Sequence, residues 1–330
     1  MDTSKTKIMI ISGTGTLAEN MIDQFNHNYD IYVISRDQNK QYILKTKYPK
    51  VNFLIGDMKN YETIKLHIDN INPNIVIING AIKHIDMCEN NIMECLQTNV
   101  YGVQNVIVAI KESNVTNLDT VIFISTDKSC NLISVYGFSK ALSERILAQA
   151  SIRCQKKIKY ISIRLGNLFN STGSLVSKFI DIGSSNTIKD FPVTNPHMTR
   201  FFVTLEQCTH LIQTVINYGQ SGEIWVPIVP SYKILDIALF FSKKYNKPIK
   251  ITGSKPGEKI HESLINEVEI NQTEKKIFDG QEFYVIKSCQ TNCQNGNLLQ
   301  PYTSQNTNNT QSLESIISKL LPDLHTSSAQ

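Results

Sequence analysis

No stretch of this 330-residue chain approaches the ~20 consecutive apolar residues that crossing a bilayer requires, so a membrane-spanning role is not expected. Met1 to Lys7 has no apolar core of the kind a secretory leader carries, which points to a cytoplasmic protein. A surplus of one charge is lacking too. The 33 basic and 29 acidic residues leave only +4, and no basic run is interleaved with aromatics. Nucleic acid is therefore not an expected partner, although a few lysines around a cleft would suit an anionic small molecule. Seven cysteines cannot all pair with one another, and Cys289 and Cys293 form a C-x3-C pair with no second pair or histidine box. No metal is expected, and reduced thiols are the default. No internal repeat is present.

What the chain has is alternation. Apolar runs at Lys7–Ser12, Ile31–Ser35, Asn52–Ile55, Ile75–Asn79, Thr120–Ser125 and Lys159–Arg164 are separated by helical stretches such as Leu96–Ser113 and Lys140–Ala150. Short continuous apolar strands alternating with helices predict an α/β fold: a Rossmann-type, doubly wound parallel sheet covered on both faces. From Gly166 the rhythm breaks at Pro192, Pro196, Pro227, Pro230 and Pro256. The expected organisation is a dinucleotide-binding domain over 1–165 and a smaller substrate-binding lobe over 166–330, with a possible return of a strand or helix into the first. Residues 289–310, rich in Asn, Gln and Thr, are expected to form a loop, and Ser327–Gln330 a frayed end.

The first strand runs into Gly13-Thr14-Gly15-Thr16-Leu17-Ala18, which fits G-x-G-x-x-A at the start of a helix. Backbone amides there can hold a pyrophosphate. The second strand ends at Ser35, and Arg36-Asp37 follows. An arginine at this point suits a ribose 2′-phosphate by charge and by its planar fork, so NADP is favoured over NAD; Asp37 could still reach a hydroxyl. Asp57 and Met58 after the third strand are placed near the adenine. Asn79-Gly80-Ala81 after the fourth supplies small residues close to the cofactor, and Lys83 and Asn99 complete that set.

The densest chemistry lies in Ser125-Thr126-Asp127-Lys128, followed by Tyr136-Gly-Phe-Ser-Lys140. Tyr-x-x-x-Lys puts both side chains on one helix face, where an ammonium would lower the phenol's pKa and let it act as a base. That is the chemistry of alcohol oxidation by a nicotinamide cofactor. Asp127 and Lys128 add a proton donor and an acceptor that simple oxidation does not need.

With these motifs the chain resembles the extended short-chain dehydrogenase/reductase superfamily, and within it the inverting 4,6-dehydratases that act on UDP-N-acetylglucosamine. The resemblance runs from the Gly13 loop to about Leu321. It is carried by Ser35-Arg36-Asp37, Ile55-Gly56-Asp57, Ala81-Ile82-Lys83-His84, Thr98-Asn99, Thr126-Asp127-Lys128, Tyr136-x-x-x-Lys140, Arg164-Leu165-Gly166-Asn167, Met198-Thr199-Arg200-Phe201 and Pro256-Gly257-Glu258-Lys259. Retaining relatives carry Thr-Asp-Glu where this chain has Thr-Asp-Lys. The departures are Ser12 at the loop's usual first glycine, Ala18 at its last, and Lys255 in place of an arginine.

The resemblance implies that Tyr136, tuned by Lys140, deprotonates the sugar 4-hydroxyl, that Thr126 bonds the C4 oxygen, that Lys128 removes the C5 proton, and that Asp127 protonates the departing 6-hydroxyl. It also implies Lys83, His84, Asn167, Arg200, Lys255 and Glu258 as substrate contacts, a UDP-sugar partner, and a homo-oligomer, dimer or hexamer. The alternatives are a retaining UDP-sugar 4,6-dehydratase, a 4-epimerase, or a catalytically dead NADP-sensing protein.

Overall fold

Six β-branched runs become parallel strands: β1 (Lys7–Ile11), β2 (Asp30–Ser35), β3 (Asn52–Ile55), β4 (Ile75–Ile78), β5 (Thr120–Thr126) and β6 (Lys159–Leu165). The computed structural model describes residues 5–153, 157–169, 171–287, 298–306, 309 and 312–321. Strand side chains alternate between two cores. Ile8 and Ile10 of β1, with Ile75 and Ile77 of β4, pack on one face with the helix Thr16–Phe25. Met9, Ile11, Val76 and Ile78 pack on the other, against helices Tyr61–Ile71 and Gly102–Glu112. Burial on both faces is why these strands read as continuous apolar runs.

The helix Tyr61–Ile71 shows how the local sequence sets an element. The Asn60 side chain accepts from Thr63 N and caps it, and Ile64, Ile68 and Ile71 form a buried stripe at 3.6-residue spacing. Asn72 ends it in a left-handed conformation.

The first half gives the order β3-β2-β1-β4-β5-β6, and the second half adds three strands to the same sheet. Ile224–Pro227 pairs parallel to β6, and the hairpin Thr273–Phe278/Gln281–Ile286 continues antiparallel beyond it. The sheet is thus mixed at this edge, and the chain beyond residue 166 contributes to both regions. A third apolar cluster, built from helices Leu175–Ser184 and Ile234–Tyr245 and strand Phe191–Val193, forms the core of the remaining lobe. Cys289, Cys293, most of the 289–310 segment and Ser327–Gln330 lie outside the described residues.

The strand order reverses between β1 and β4. In open α/β sheets a ligand crevice lies at the carboxyl ends of the strands flanking such a switch. The Gly13 loop, Asn79-Gly80-Ala81 and the Thr126–Lys128 turn all leave carboxyl ends there.

Candidate active site

The loop after β1 is shaped for a diphosphate. Ser12 adopts φ 60°, the left-handed region that favours glycine, and its N–H donates to the Ile34 carbonyl at 2.7 Å. Gly15 is the N-cap of helix Thr16–Phe25 and provides no side-chain cap. A Cβ at Gly15 would meet nothing within 4 Å. Open space in front of a helix N-terminus whose first amides lack a side-chain acceptor fits a pyrophosphate group. Thr14 and Ser35 hydroxyls pair at 3.0 Å, and Thr16 pairs with Thr172 across the crevice at 3.2 Å. Leu17 faces the core instead.

Beyond β2, Asp37 caps its own helix. Its carboxylate accepts from Lys40 N at 3.0 Å, a bond that holds it below the usual carboxylate range. Exposed Arg36 lies 3.6 Å from Asp57, whose other oxygen accepts from Lys59 N at 2.9 Å. Met58 is buried under the loop, where Ser12 Oγ approaches its sulfur. Asn99 sits in a wide helical turn, Gln97–Tyr101, that interrupts the single helix expected over 96–113. Its amide clamps the backbone of Ile82 from both sides (2.8 and 3.1 Å) and donates to Ser139 at 2.9 Å. Asn99 therefore shapes the segment after Asn79-Gly80-Ala81, its side-chain oxygen and nitrogen both engaged by protein. Lys83 donates to the Thr172 carbonyl at 3.1 Å, and burial, with Lys178 and Lys40 adding, lowers its pKa. His84, opening helix Ile85–Asn90, is lowered by burial and by Lys83.

At the end of β5 the catalytic candidates meet. Asp127 is fully buried, and its Oδ1 accepts from Lys128 Nζ at 2.8 Å and from Thr126 Oγ1 at 2.9 Å. Its Oδ2 is buried with no hydrogen-bond partner among the described residues. Burial raises the Asp127 pKa against the pull of Lys128, and the Glu262 charge adds to the rise. Such a carboxyl favours carrying a proton. Lys128 Nζ also donates to Asn167 Oδ1 at 2.7 Å, so Asn167 faces the amine. Gly137 is required for this packing, because a Cβ there would collide with the Lys128 carbonyl.

Tyr136 is buried among Cys88, Cys95, Ile82, Ile85 and Val135. Burial pushes the phenol above its ordinary value, a hydrogen bond with Thr126 opposes that, and the charge of Asp127 adds to it. The expected tuning by Lys140 is not what the geometry shows. The lysine does share the helix face, but its long side chain runs on to β5, where it donates to Ile124 O at 2.6 Å and lies 3.9 Å over the Phe123 ring. Burial draws the Lys140 ammonium down to about 7.

Of the residues expected at the nucleotide end, Arg200 is buried and donates to the carbonyls of Thr199 (2.7 Å), Ile260 (3.2 Å) and Lys259 (2.8 Å). Lys255 is exposed at a Pro256-Gly257 turn that the Glu258 carboxylate closes by accepting from Lys255 N at 3.0 Å.

Two elements of the site have no role in the motif reading, although Arg164 stands in one of its motifs. Glu262 is buried beside Lys128. Beneath the turn, the Arg164 guanidinium bridges Glu144 and Glu269, each at 2.8 Å, and Glu144 accepts from Ser129 and Ser125. The sequence signal for both is charge embedded in apolar runs, at Glu262-Ser-Leu-Ile and Ile-Arg164-Leu.

Comparison with known proteins fixes the family. The family described as "Polysaccharide biosynthesis protein" matches residues 8–282. The chain belongs to it. A UDP-N-acetylglucosamine 4,6-dehydratase (inverting) from Campylobacter jejuni subsp. jejuni serotype O:2 is 32% identical over 289 residues, 86% of this chain and 83% of that one. A UDP-glucose 4-epimerase from Rickettsia bellii (strain OSU 85-389) is 31% identical over 317 residues, 91% of each. Among solved structures, Pen from Bacillus thuringiensis superposes with TM-score 0.86 at 26% identity over 98% of this chain and 99% of its own. DesIV, a dTDP-glucose 4,6-dehydratase from Streptomyces venezuelae, shares the fold (TM-score 0.65, 15% identity, 77% of this chain and 87% of its own).

Proposed function

We propose that this chain is an NADP-dependent, inverting UDP-N-acetylglucosamine 4,6-dehydratase, forming UDP-2-acetamido-2,6-dideoxy-β-L-arabino-hex-4-ulose. The observation that carries the reading is the buried Asp127 carboxyl held 2.8 Å from the Lys128 amine, beside Tyr136 at the end of β5. Oxidation at C4 needs one protein base, Tyr136, with the nicotinamide as hydride acceptor. Loss of water across C5 and C6 needs a base and an acid together.

With the cofactor's pyrophosphate held by the backbone of the Gly13–Leu17 loop, the oxidised nicotinamide would supply a positive charge that favours the tyrosinate and an acceptor for the C4 hydride, later returned to C6. Tyr136 takes the proton of the 4-hydroxyl, with Thr126 beside the C4 oxygen. The resulting ketone acidifies the C5 proton, which passes to Lys128 Nζ. The C5 electron pair forms the C5=C6 bond as the C6–O bond breaks, and the Asp127 proton leaves with that oxygen as water. A proton added to C5 from the opposite face inverts the centre. The step requires the proton shared between Asp127 and Lys128 to rest on Asp127, which burial of the carboxyl favours.

NADP is supported by Arg36, just past the end of β2, and by the capping role of Asp37, which engages a carboxylate that could otherwise hold a ribose diol there. Lys83, His84, Arg200, Lys255 and Glu258 are assigned to the UDP end, and Asn167 to holding Lys128. Phe138 and Leu142, one turn apart and exposed on helix Val135–Arg153, suit burial in a homo-oligomer, dimer or hexamer. Among the described residues no helix is long and apolar enough to cross a membrane; a cytoplasmic location is part of this reading.

A 4-epimerase is the second reading, favoured by the relatives of that name. It would use Tyr136 and the cofactor but leave the acid–amine pair idle. Asp127→Asn and Lys128→Met decide between them. The dehydratase reading expects both to keep substrate-dependent reduction of the nicotinamide and to lose the 6-methyl product. Epimerase turnover that survives both substitutions would overturn it.

A further inference from the structure

Glu262 is 1% exposed, and three cations from three separate segments converge on its carboxylate. Oε1 lies 3.7 Å from Lys128 Nζ and 3.8 Å from Arg200 Nε, and Oε2 lies 3.2 Å from Lys259 Nζ. Its backbone is fixed on both sides by Ser304, N–H to Oγ at 2.9 Å and carbonyl to N–H at 2.8 Å. Burial alone would raise the carboxyl, but Lys128, Arg200 and Lys259 together hold it below the usual range, so it is ionised.

The three partners have different duties. Lys128 is already held by Asp127 and Asn167, and Glu262 approaches it as a third neighbour. Arg200 donates to the backbone of Lys259 and Ile260, at the end of the loop that also carries Lys255 and Glu258. Lys259 spans from Glu262 to the Cys130 carbonyl at 2.6 Å, two residues past Lys128. Among the described residues the carboxylate is thus the group that lies within 4 Å of both the amine of the catalytic turn and the cations at the base of the nucleotide-end loop.

We propose that Glu262 is a positioning residue that registers the Lys128 amine against the nucleotide-end loop through Arg200 and Lys259. Its role in turnover rests on the dehydratase reading; its role in holding Lys128 does not. Removing the carboxylate charge leaves Lys128 a wider range of positions and disturbs the step at C5, while C4 oxidation, carried by Tyr136, proceeds.

Glu262→Gln keeps the shape and removes the charge. In protein without substrate at one fixed pH, modification of Lys128 by an amine-selective reagent is followed by mass spectrometry against the surface lysines as internal reference. The expected result is a relative rate at Lys128 several-fold higher in the variant. With UDP-N-acetylglucosamine and NADP+, exchange of the C5 proton with deuterium oxide falls about tenfold or more, while reduction of the nicotinamide changes less than about threefold. Glu262→Asp, which keeps the charge, restores part of the exchange. An unchanged Lys128 rate in folded Glu262→Gln, or an equal fall in both half-reactions, overturns the proposal. If Glu262→Gln does not fold, Lys259→Gln takes its place, with the same selective loss expected and the same outcomes contradicting it. A wild-type protein that forms no 6-methyl sugar would end the dehydratase reading, and the labelling result would still judge Glu262.

Discussion

The Lys140 ammonium donates to the Ile124 carbonyl at 2.6 Å, joining helix Val135–Arg153 to the last turn of β5 in a site 2% exposed to solvent. The group is drawn down from 10.5 to about 7 by burial. Between those values the unfolded chain binds one more proton at this residue than the folded one, so stability rises with pH across that window. Below about 7 both states are protonated and the cost of burying the charge is fully present. The Lys140 contribution to the slope approaches about 1.4 kcal/mol per pH unit at most. Urea unfolding from pH 7 to 10 is expected to show a smaller rise for Lys140→Met than for the wild type; parallel curves would contradict the assignment.

Ser12 holds φ 60° where a glycine would rest without strain. Ser12→Gly is expected to stabilise the protein by about 1 kcal/mol, the order of the penalty for a left-handed residue with a Cβ. Calorimetry should show a rise in Tm of a few degrees with cofactor affinity retained. A fall in Tm would mean that the Ser12–Met58 contact outweighs the backbone strain.

Among the described residues Arg164 is the single cation between Glu144 and Glu269, and all three are buried or nearly so. Arg164→Leu would leave two carboxylates facing one another without a counter-charge, at a cost of about 3–5 kcal/mol. Denaturant unfolding at neutral pH is expected to show that loss, together with a fall in activity, because Glu144 also holds Ser125 and Ser129 around the Thr126–Lys128 turn.

On the proposed reading, Arg36 is the residue that would select NADP over NAD. Titration calorimetry of Arg36→Ala should show NADP+ affinity reduced about 10- to 100-fold, the worth of one charge-assisted phosphate contact, with NAD+ affinity little changed. Equal losses for the two would place the 2′-phosphate elsewhere.

Much of this was legible before the structure, for a local reason. The six parallel strands fall within a residue of their apolar runs; central strands such as β4 and β5 are buried on both faces and must be continuously apolar, whereas the edge strand β3 is partly exposed. The Gly13–Ala18 loop and the Thr126–Lys128 turn follow from the strand ends that carry them. What was not legible depends on long-range partners. Spacing puts Lys140 on the same helix face as Tyr136, but a long side chain ends where an acceptor waits, and that acceptor is Ile124 on another element. A returning strand was open to the sequence reading, but that it is Ile224–Pro227 with the hairpin after it is set by pairing between distant segments. Glu262 reads locally as a loop acid, and it takes Lys128 and Arg200 from distant segments, with Lys259 three residues before it, to make its burial tolerable.

The central claim concerns Asp127 and Lys128 acting at C5 and C6, and one experiment addresses it directly. The wild-type protein is incubated with NADP+ and UDP-N-acetylglucosamine in deuterium oxide, and the sugar is followed by proton NMR. The account predicts a new 6-methyl signal, deuterium at C5 and inverted configuration there. A 6-methyl signal with C5 retained would contradict the inverting assignment of Lys128, and a 4-epimer with the 6-hydroxymethyl intact would contradict dehydration altogether.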